Sequence, residues 1–217
     1  PVEGGVAAFR FLQRAQHIGK VVVKFASSIE PVQDGAIVIT GGLGALGLVV
    51  AGWLAEEGAR NIVLIARRDA PPPSGNVPEW DWLSNINCKV SFFSCDVSNY
   101  ESVRGVFKKI QKTVAPIKGI FHAAGALADS LLDSQSLEGL RRVYNGKVVG
   151  AWNIHRVCEE QGIDKDLQFF VLFSSISSLI GNVAQANYAS ANACLDALAR
   201  WRRRKGLCCQ SIQWGPW

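Results

Sequence analysis

Four glycines stand within seven residues of the stretch VITGGLGALGLVV, namely Gly41, Gly42, Gly44 and Gly47. The β-branched run before them predicts a buried strand over 36–40, and the segment after them predicts a helix over 45–57. Glycines at this spacing allow a sharp turn and let a pyrophosphate reach the free N–H groups of the helix start, although a plain tight turn has the same spacing. A P-loop is excluded because Leu48 and Val49 stand where it needs lysine and serine or threonine.

Short apolar runs and helical patterns alternate along the rest of the chain. Further strands are predicted over 61–66, 90–94, 119–122, 168–173 and 210–214, and further helices over 101–113, 137–161 (one helix or two) and 186–204. Buried strands separated by helices are typical of the α/β class with a doubly wound parallel sheet. The proline-rich segment 69–87 interrupts the alternation and is predicted to be a surface excursion.

Composition narrows the possible functions. The chain has 217 residues with 48% hydrophobic content, enough for one sizeable core. No run reaches the roughly 18 apolar residues of a membrane span, so we expect no membrane association. The net charge of +5 suits an anionic ligand and is too dispersed to indicate nucleic-acid binding. The six cysteines form no CxxC pair, so we expect free thiols, no metal site and a reducing, cytoplasmic location.

One basic run, RWRRRK over 200–205, stands at the end of the last predicted helix. Basic side chains at a helix C-terminus complement the helix dipole, and we expect them to face solvent. Docking of an acidic partner is the alternative.

The first 30 residues do not fit the alternation of strands and helices. The stretch AAFRFLQRAQHIGKVVVKF predicts a helix followed by a strand, ahead of a fold that should begin at its glycine-rich strand. We therefore predict the tail of a preceding domain over 1–26, a linker over 27–35 and a catalytic domain over 36–217. Because the chain contains no methionine, we expect it to be a processed or excised piece of a longer polypeptide.

The end of the second predicted strand indicates which dinucleotide is bound. A site selective for NAD places an acidic side chain near this point to hold the ribose 2′-hydroxyl. Arg67 and Arg68 stand there instead, and Asp69 comes one residue too late. Arginines favour a 2′-phosphate through charge-assisted hydrogen bonds, so NADPH is preferred over NADH. Two solvated arginines at a strand end are the alternative.

A hydroxyl and a phenol follow the strand predicted over 168–173. Ser175 stands at its carboxyl end, where ligands bind in such sheets, and Tyr188 opens the next helix. Asn192 shares a helix face with Tyr188. Ser175 would bind a substrate carbonyl and Tyr188 would give it a proton as hydride arrives. A phenol needs a nearby cation to stabilise its deprotonated form, and Lys147 on the preceding helix is the best-placed candidate. Taken one at a time, each of these four residues could instead have a purely structural role.

Together these features resemble the ketoreductase domains of polyketide synthases and animal-type fatty acid synthases, which are complex short-chain dehydrogenases. The likeness runs from about residue 35 to 217 and rests on the segments TGGLGALG, CDVSN, FHAAGALADSLL, KVVGAWNIH, LFSSISS, QANYASANACLDALA and SIQWGPW. It implies a Rossmann fold of the short-chain dehydrogenase type, truncated here after the sixth strand. It also assigns Lys147, Ser175, Tyr188 and Asn192 as the catalytic set, because this family places asparagine four residues after the tyrosine and lysine on the preceding helix.

The resemblance further implies which residues contact the cofactor. Asp96 and Val97 would line the adenine pocket, and Pro216 would approach the nicotinamide. The whole expected set is Thr40, Gly41, Gly42, Leu43, Gly44, Ala45, Leu46, Gly47, Arg67, Arg68, Asp96, Val97, Ala123, Ala124, Gly125 and Pro216.

Stereochemistry is also suggested by the resemblance. Family members that form the D-hydroxyl usually carry Leu-Asp-Asp after HAAG and lack a tryptophan eight residues before the tyrosine. This chain has Leu127-Ala128-Asp129 and Ile180 at those places. Leu127 and Asp129 are therefore the predicted stereocontrol residues, and the D-hydroxyl product is favoured.

The implied function is NADPH-dependent reduction of a β-ketoacyl thioester, carried on an acyl carrier protein, to the β-hydroxyacyl thioester. The implied partners are that carrier protein, an upstream structural half-domain and an enoylreductase, whose end the segment over 1–26 resembles. A non-catalytic Rossmann module of the same synthase is the alternative. A free-standing sugar or steroid dehydrogenase would carry lysine at position 192, where this chain has asparagine.

Overall fold

The computed structural model describes residues 32, 34–73, 75–85 and 88–215 of the chain. The predicted tail over 1–26, most of the predicted linker over 27–35, and Pro216 lie outside these described residues.

The described residues form one parallel sheet of six strands: β1 (Ala36–Thr40), β2 (Asn61–Ala66), β3 (Lys89–Ser94), β4 (Ile117–His122), β5 (Phe169–Ser175) and β6 (Gln210–Trp214). Their order across the sheet is β3-β2-β1-β4-β5-β6. Because β1 pairs with both β2 and β4, the winding direction reverses beside β1. Ligands of such sheets bind at the carboxyl ends of the strands near this switch point.

Helices cover both faces of the sheet: α1 (Ala45–Glu56), α2 (Pro78–Asn85), α3 (Tyr100–Thr113), α4 (Leu137–Tyr144), α5 (Gly150–Glu160), α6 (Ser177–Ile180) and α7 (Ala186–Arg204). The side chains of β1 point alternately to the two faces of the sheet. Ala36 and Val38 pack with α3, α5 and α7 on one face. Ile37 and Ile39 pack with α1 and α2 on the other. All of β1 is buried, as expected for a central parallel strand. The prediction of a doubly wound α/β fold is confirmed.

The prediction of a surface excursion over 69–87 was incomplete, because this segment contains α2. Proline at the first helical position is favourable, since its missing N–H would have no partner there anyway, and Pro78 occupies it. Leu83 is buried in the core beneath α1. The Trp82 ring packs so closely on α1 that a Cβ at Gly52 would lie 2.8 Å from it. This segment therefore packs against α1.

The predicted helix over 137–161 is one continuous helical run that widens in its middle. A π-helical turn, Asn145–Val149, joins α4 to α5 without a break. The Gly150 N–H bonds the Asn145 carbonyl, five residues earlier, which defines the wide turn. Single π turns inside α-helices frequently occur at functional sites, and this one carries Lys147.

The basic run over 200–205 does not face solvent throughout, which corrects the expectation for one of its members. Arg202 is fully buried and pairs with Asp164 at 2.5 Å. Its guanidinium also lies 2.6 Å from His155 Nδ1 and stacks on the Phe170 ring. Arg202 therefore joins α7 to α5 and to the turn before β5, and its role is structural.

Candidate active site

The glycine turn has no room for side chains at three of its positions, Gly41, Gly42 and Gly47. A Cβ on Gly47 would stand 2.5 Å from the Gly41 carbonyl oxygen, and one on Gly42 would stand 2.8 Å from the Ile39 oxygen. Gly41 has a φ of 69°, in the left-handed region that favours glycine. Gly44 differs, because a Cβ there would meet only the Gly41 oxygen, at 3.2 Å. The turn therefore packs tightly against β1 and α1 while Gly44 borders open space.

α1 starts at this turn and presents its first N–H groups towards the same space. Gly44 is the N-cap residue and provides no side-chain hydrogen bond, and the first turn of α1 has no acidic side chain. The first N–H groups of a helix have no partner within the helix, and together with the helix dipole they attract an anion. This end of α1 fits the pyrophosphate of a dinucleotide.

A cleft of about 780 Å³, here called the large cleft, opens in front of the glycine turn. It is lined by Gly41, Leu43, Gly44, Ile65, Ala66, Arg67, Arg68, Cys95, Asp96, Val97, Ser98, Ala123, Ala124, Gly125, Ala126, Arg142, Asn145 and Gly146. Its volume is that of a cofactor site, and it lies along the carboxyl ends of β1, β2, β3 and β4. The residues present therefore fit a bound dinucleotide.

Charged side chains stand at the far end of the large cleft. Arg67 and Arg68 are exposed and line it directly after β2, whereas Asp69 does not line it. Asp96 follows β3, and its carboxylate accepts hydrogen bonds from the Ser98 N–H at 2.9 Å and hydroxyl at 2.8 Å. The Asp96 side chain is therefore held in one orientation, while the two arginines are available to an anionic ligand.

A second cavity of about 310 Å³, here called the inner pocket, adjoins the large cleft. It is lined by Leu46, Ala123, Gly125, Ala126, Leu127, Lys147, Phe173, Ser174, Ser175, Tyr188, Trp214 and Gly215. Ala123, Gly125 and Ala126 line both cavities. The three polar residues expected to act on a carbonyl therefore surround one pocket that continues from the large cleft.

Lys147 reaches into the inner pocket from the π turn and is held there at two points. Its Nζ donates a hydrogen bond to the Phe173 carbonyl oxygen at 2.8 Å and lies 4.9 Å from the centre of the Tyr188 ring. Burial lowers the pKa of this ammonium to about 8, against the partly compensating charge of Asp196. A buried cation beside a phenol stabilises the phenolate, which is the function predicted for Lys147.

Ser175, the last residue of β5, is oriented as a donor. Its Oγ accepts a hydrogen bond from the Ser177 N–H at 3.2 Å, at the start of α6. Because the oxygen already accepts, its own proton remains available to a carbonyl in the inner pocket.

Asn192 does not reach the inner pocket, unlike the other three predicted catalytic residues. It is fully buried one helical turn beyond Tyr188, and its Nδ2 donates to the Tyr188 carbonyl oxygen at 2.9 Å. Among the described residues, no hydrogen-bond partner reaches its Oδ1. Asn192 therefore supports the helical turn that carries Tyr188 rather than touching a ligand in this arrangement.

His122 connects the glycine turn to the lysine. It is buried at the end of β4, with Nδ1 2.7 Å from the Thr40 hydroxyl and Nε2 3.0 Å from the Lys147 carbonyl oxygen. A carbonyl only accepts, so Nε2 carries the proton and the Thr40 hydroxyl donates to Nδ1. Burial lowers the pKa of His122 to about 4, which keeps the ring neutral. Sequence reasoning did not select His122, although it stands directly before the predicted Ala123.

Of the two predicted stereocontrol residues, Leu127 lines the inner pocket and Asp129 does not. The Asp129 carboxylate accepts a hydrogen bond from Gln185 at 3.1 Å. The segment that follows Asp129 is also bonded to the loop before α7, since the Ser130 N–H donates to the Ala184 carbonyl at 2.8 Å. These contacts join the segment after Leu127 to the loop that leads into α7.

The sixteen predicted cofactor residues differ in where they lie. Ten of the sixteen line the large cleft, and Leu46 lines the inner pocket. Thr40, Gly42 and Gly47 are buried behind the turn and shape it, and Ala45 lines neither cavity. Sequence reasoning missed the opposite wall, formed by Arg142, Asn145 and Gly146. The only available signal for these three was their position within five residues before Lys147.

Within the described residues, no group of three or more histidine, cysteine or acidic side chains is arranged to hold a metal ion. In the same part of the chain, no helix combines the length and apolarity needed to cross a bilayer. All six cysteines are free thiols.

Comparison with known proteins gives a consistent result. The family model described as KR domain matches residues 35–217. A highly reducing polyketide synthase, PKS6 of Gibberella zeae, is 38% identical over 227 residues, covering 99% of this chain and 9% of that protein. The phenolphthiocerol synthesis polyketide synthase type I Pks15/1 of Mycobacterium bovis is 39% identical, covering 97% of this chain and 10% of that protein. The chain thus spans about a tenth of the length of these relatives.

Solved structures agree with the sequence comparisons. A structure titled as A-type ketoreductases from a modular polyketide synthase superposes with a TM-score of 0.79 at 34% identity, covering 92% of this chain and 41% of that one. The first ketoreductase of the tylosin polyketide synthase superposes with a TM-score of 0.74 at 37% identity, covering 89% of this chain and 41% of that one.

Proposed function

Because the chain belongs to the KR domain family of ketoreductases, we propose that it reduces a β-ketoacyl thioester to the β-hydroxyacyl thioester with NADPH. The substrate would be carried by an acyl carrier protein, within a polyketide or fatty acid synthase. As a ketoreductase domain the chain is an oxidoreductase of the short-chain dehydrogenase type, and its fold implies a nicotinamide cofactor. The observation that carries the proposal is the Lys147 ammonium held 4.9 Å from the Tyr188 ring in the pocket that also contains Ser175.

The proposed reaction assigns one task to each side chain of the inner pocket. A bound nicotinamide supplies the hydride that reduces the ketone carbon. The Ser175 hydroxyl donates a hydrogen bond to the ketone oxygen and fixes its position. Tyr188 transfers its phenolic proton to the same oxygen, which completes the alcohol. The Lys147 ammonium stabilises the phenolate that remains, until solvent returns a proton to it.

The choice of NADPH rests on the end of β2. Arg67 and Arg68 line the large cleft, are exposed and could form bidentate bonds to a 2′-phosphate. Replacing either with alanine should weaken NADPH binding by roughly tenfold or more and leave NADH binding almost unchanged. Cofactor fluorescence titration measures both affinities. Equal losses for the two cofactors, or none, would show that these arginines are only solvated surface residues.

The decisive experiment for the reaction is NADPH oxidation with a β-ketoacyl thioester surrogate, in the full natural polypeptide. Tyr188→Phe removes only the phenolic oxygen and should abolish turnover while cofactor binding persists. Tyr100→Phe is the matched control, because the Tyr100 hydroxyl bonds Glu160 on α5, away from the inner pocket. Cofactor binding without turnover in the unaltered protein would instead support a non-catalytic Rossmann module.

Product stereochemistry is the finest part of the proposal. We favour the D-hydroxyl because Ile180 stands where the other class carries tryptophan, because Leu127 lines the inner pocket, and because Asp129 keeps one of the two aspartates typical of D-forming members. Chiral chromatography of the product tests this assignment, and an L-hydroxyl product from the unaltered enzyme would overturn it.

The proposed partners and location follow from the same assignment. An acyl carrier protein would deliver the substrate, and a structural half-domain and an enoylreductase would belong to the same polypeptide. We also propose a cytoplasmic location, which is supported by the six free thiols.

A further inference from the structure

Asp196 lies on the helix face that also carries Tyr188 and Asn192, and it is 5% exposed. A buried carboxylate requires hydrogen-bond donors to replace water. Asp196 receives three from side chains: Oδ2 accepts from Ser178 at 2.7 Å and from Gln213 at 2.8 Å, and Oδ1 accepts from Ser211 at 2.6 Å. These hydrogen bonds lower the pKa of Asp196 despite its burial, so it is charged at neutral pH.

The donors come from the two elements that frame the ketone site. Ser178 belongs to α6, which begins two residues after Ser175, and Ser211 and Gln213 belong to β6, which ends at Trp214 in the wall of the inner pocket. Gln213 also donates to the Ser178 hydroxyl at 3.1 Å. The backbone closes the same arrangement, since the Ile176 N–H donates to the Trp214 carbonyl at 2.9 Å. One carboxylate on α7 therefore holds both elements together.

The charge of Asp196 also acts on the lysine of the inner pocket. Lys147 donates to the carbonyl of Phe173, and Asp196 interacts with the neighbouring Ser174 and favours the protonated form of Lys147. β5, α6 and β6 contribute no ionisable side chain here. Among the described residues, two further titratable side chains contact Lys147, namely His122, which is neutral, and Tyr188. Asp196 is thus the anionic side chain that compensates the buried ammonium.

We propose that Asp196 is a positioning residue for ketone reduction: it fixes α6 and β6 around Ser175, and its carboxylate stabilises the ammonium of Lys147. This proposal rests on the proposed function, and it assigns two separable effects to one side chain. One effect is geometric and depends on the three donors, and the other depends only on charge.

Two sets of variants separate the effects. Asp196→Asn removes the charge and keeps the size, whereas the double variant Ser178→Ala/Ser211→Ala keeps the charge and removes two of its anchors. The readout is the pH dependence of kcat with NADPH and a β-ketoacyl thioester surrogate, in the full natural polypeptide. Cofactor binding by fluorescence shows that each variant is folded. If the unaltered protein shows no turnover, the proposed function itself is rejected. If it does turn over, the variants test the role of Asp196.

For Asp196→Asn we expect the alkaline limb of the profile to move to lower pH by roughly half a unit or more, because the ammonium loses its compensating charge. For the double serine variant we expect kcat to fall by roughly tenfold to a hundredfold, through misplacement of Ser175, with the limb unmoved. Asp196→Glu keeps the charge and replaces Asp196→Asn in the experiment if the asparagine variant does not fold. We expect the alkaline limb of its pH profile to stay in place while kcat falls. The proposal would be overturned if the alkaline limb of the pH profile did not move in Asp196→Asn. It would also be overturned if that limb moved as far in Asp196→Glu as in Asp196→Asn.

Discussion

Lys147 should make the protein less stable at neutral pH than a neutral side chain of the same length would. Its pKa falls from 10.5 to about 8 because the ammonium is removed from water, which corresponds to about 3 kcal/mol of free energy. Methionine has a similar length and carries no charge. Lys147→Met loses the hydrogen bond to the Phe173 carbonyl, which costs about 1 kcal/mol. We therefore expect Lys147→Met to be more stable by up to about 2 kcal/mol near pH 7 and inactive as a ketoreductase.

The pH dependence provides the stronger test. Below the folded pKa of about 8, both the folded and the unfolded chain carry the proton on Lys147. Between that value and the ordinary 10.5, the folded chain releases the proton while the unfolded chain keeps it. Because the unfolded state then binds more protons, the wild-type free energy of unfolding gains up to about 3 kcal/mol from this group as the pH rises. Lys147→Met lacks this gain, so its advantage should disappear and reverse in alkaline solution.

Urea unfolding at a series of pH values, followed by tryptophan fluorescence, measures the difference between wild type and Lys147→Met. Lys112→Met is the control, since it makes the same substitution at an exposed site in the last turn of α3. Subtracting the two curves cancels all other titrating groups. If wild type and Lys147→Met stay parallel from about pH 7 to about pH 10.5, then the ammonium is not desolvated, and the electrostatic role assigned to it is wrong.

Three further variants test the surroundings of the site. Ala184→Gly should raise the free energy of unfolding by about 1 kcal/mol in urea titrations, because Ala184 has a φ of 61° that glycine adopts without strain; a loss of stability would contradict this conformation. Gly47→Ala should abolish cofactor binding in fluorescence titrations, since its Cβ would stand 2.5 Å from a backbone oxygen. The control Gly105→Ala should bind the cofactor normally, because its Cβ would have no atom within 4 Å. His122→Phe should lower kcat by roughly tenfold or more by releasing the turn that carries Lys147, and His122→Gln should recover part of it; equal kcat values in both variants would refute this.

Much of the fold could be predicted from local patterns. The predicted bounds of β1, β2, β6 and α7 are those observed. β1 and β2 are distinct apolar runs and α7 is a long helical pattern, so local patterns define their ends. α2 was missed because three consecutive prolines and a glycine precede it and its apolar face contains few residues. Its stability comes from Trp82 and Leu83 packing near α1, a contact that no local pattern indicates.

Contacts between residues far apart in sequence explain the other differences between the predicted and the observed structure. Arg202 was expected in solvent because its neighbours in sequence are basic, but its partners Asp164 and His155 lie 38 and 47 residues earlier. The π turn was not predicted either, because its closest contacts come from distant elements. At Gly150, a Cβ would stand 2.7 Å from Val97 and 3.0 Å from His122. That crowding places the end of the turn directly against β4, which the sequence around Lys147 does not reveal.

Unfavourable local features concentrate around the inner pocket, and their positions explain why. Ala184 has positive φ in the loop that leads into the helix of Tyr188, the pKa of Lys147 is depressed at the pocket wall, and the Asn192 Oδ1 is buried without a described partner one turn beyond Tyr188. Each feature costs on the order of 1 to 3 kcal/mol, and the rigid sheet maintains them because β1, β4 and β5 are almost entirely buried. A solvated lysine would cost nothing, but its charge would be screened by water and would stabilise a phenolate weakly. The ammonium of Lys147 must therefore be buried to stabilise a phenolate, although its burial lowers the stability of the fold. For this reason a neutral substitution should stabilise the fold at Lys147 and not at a core residue.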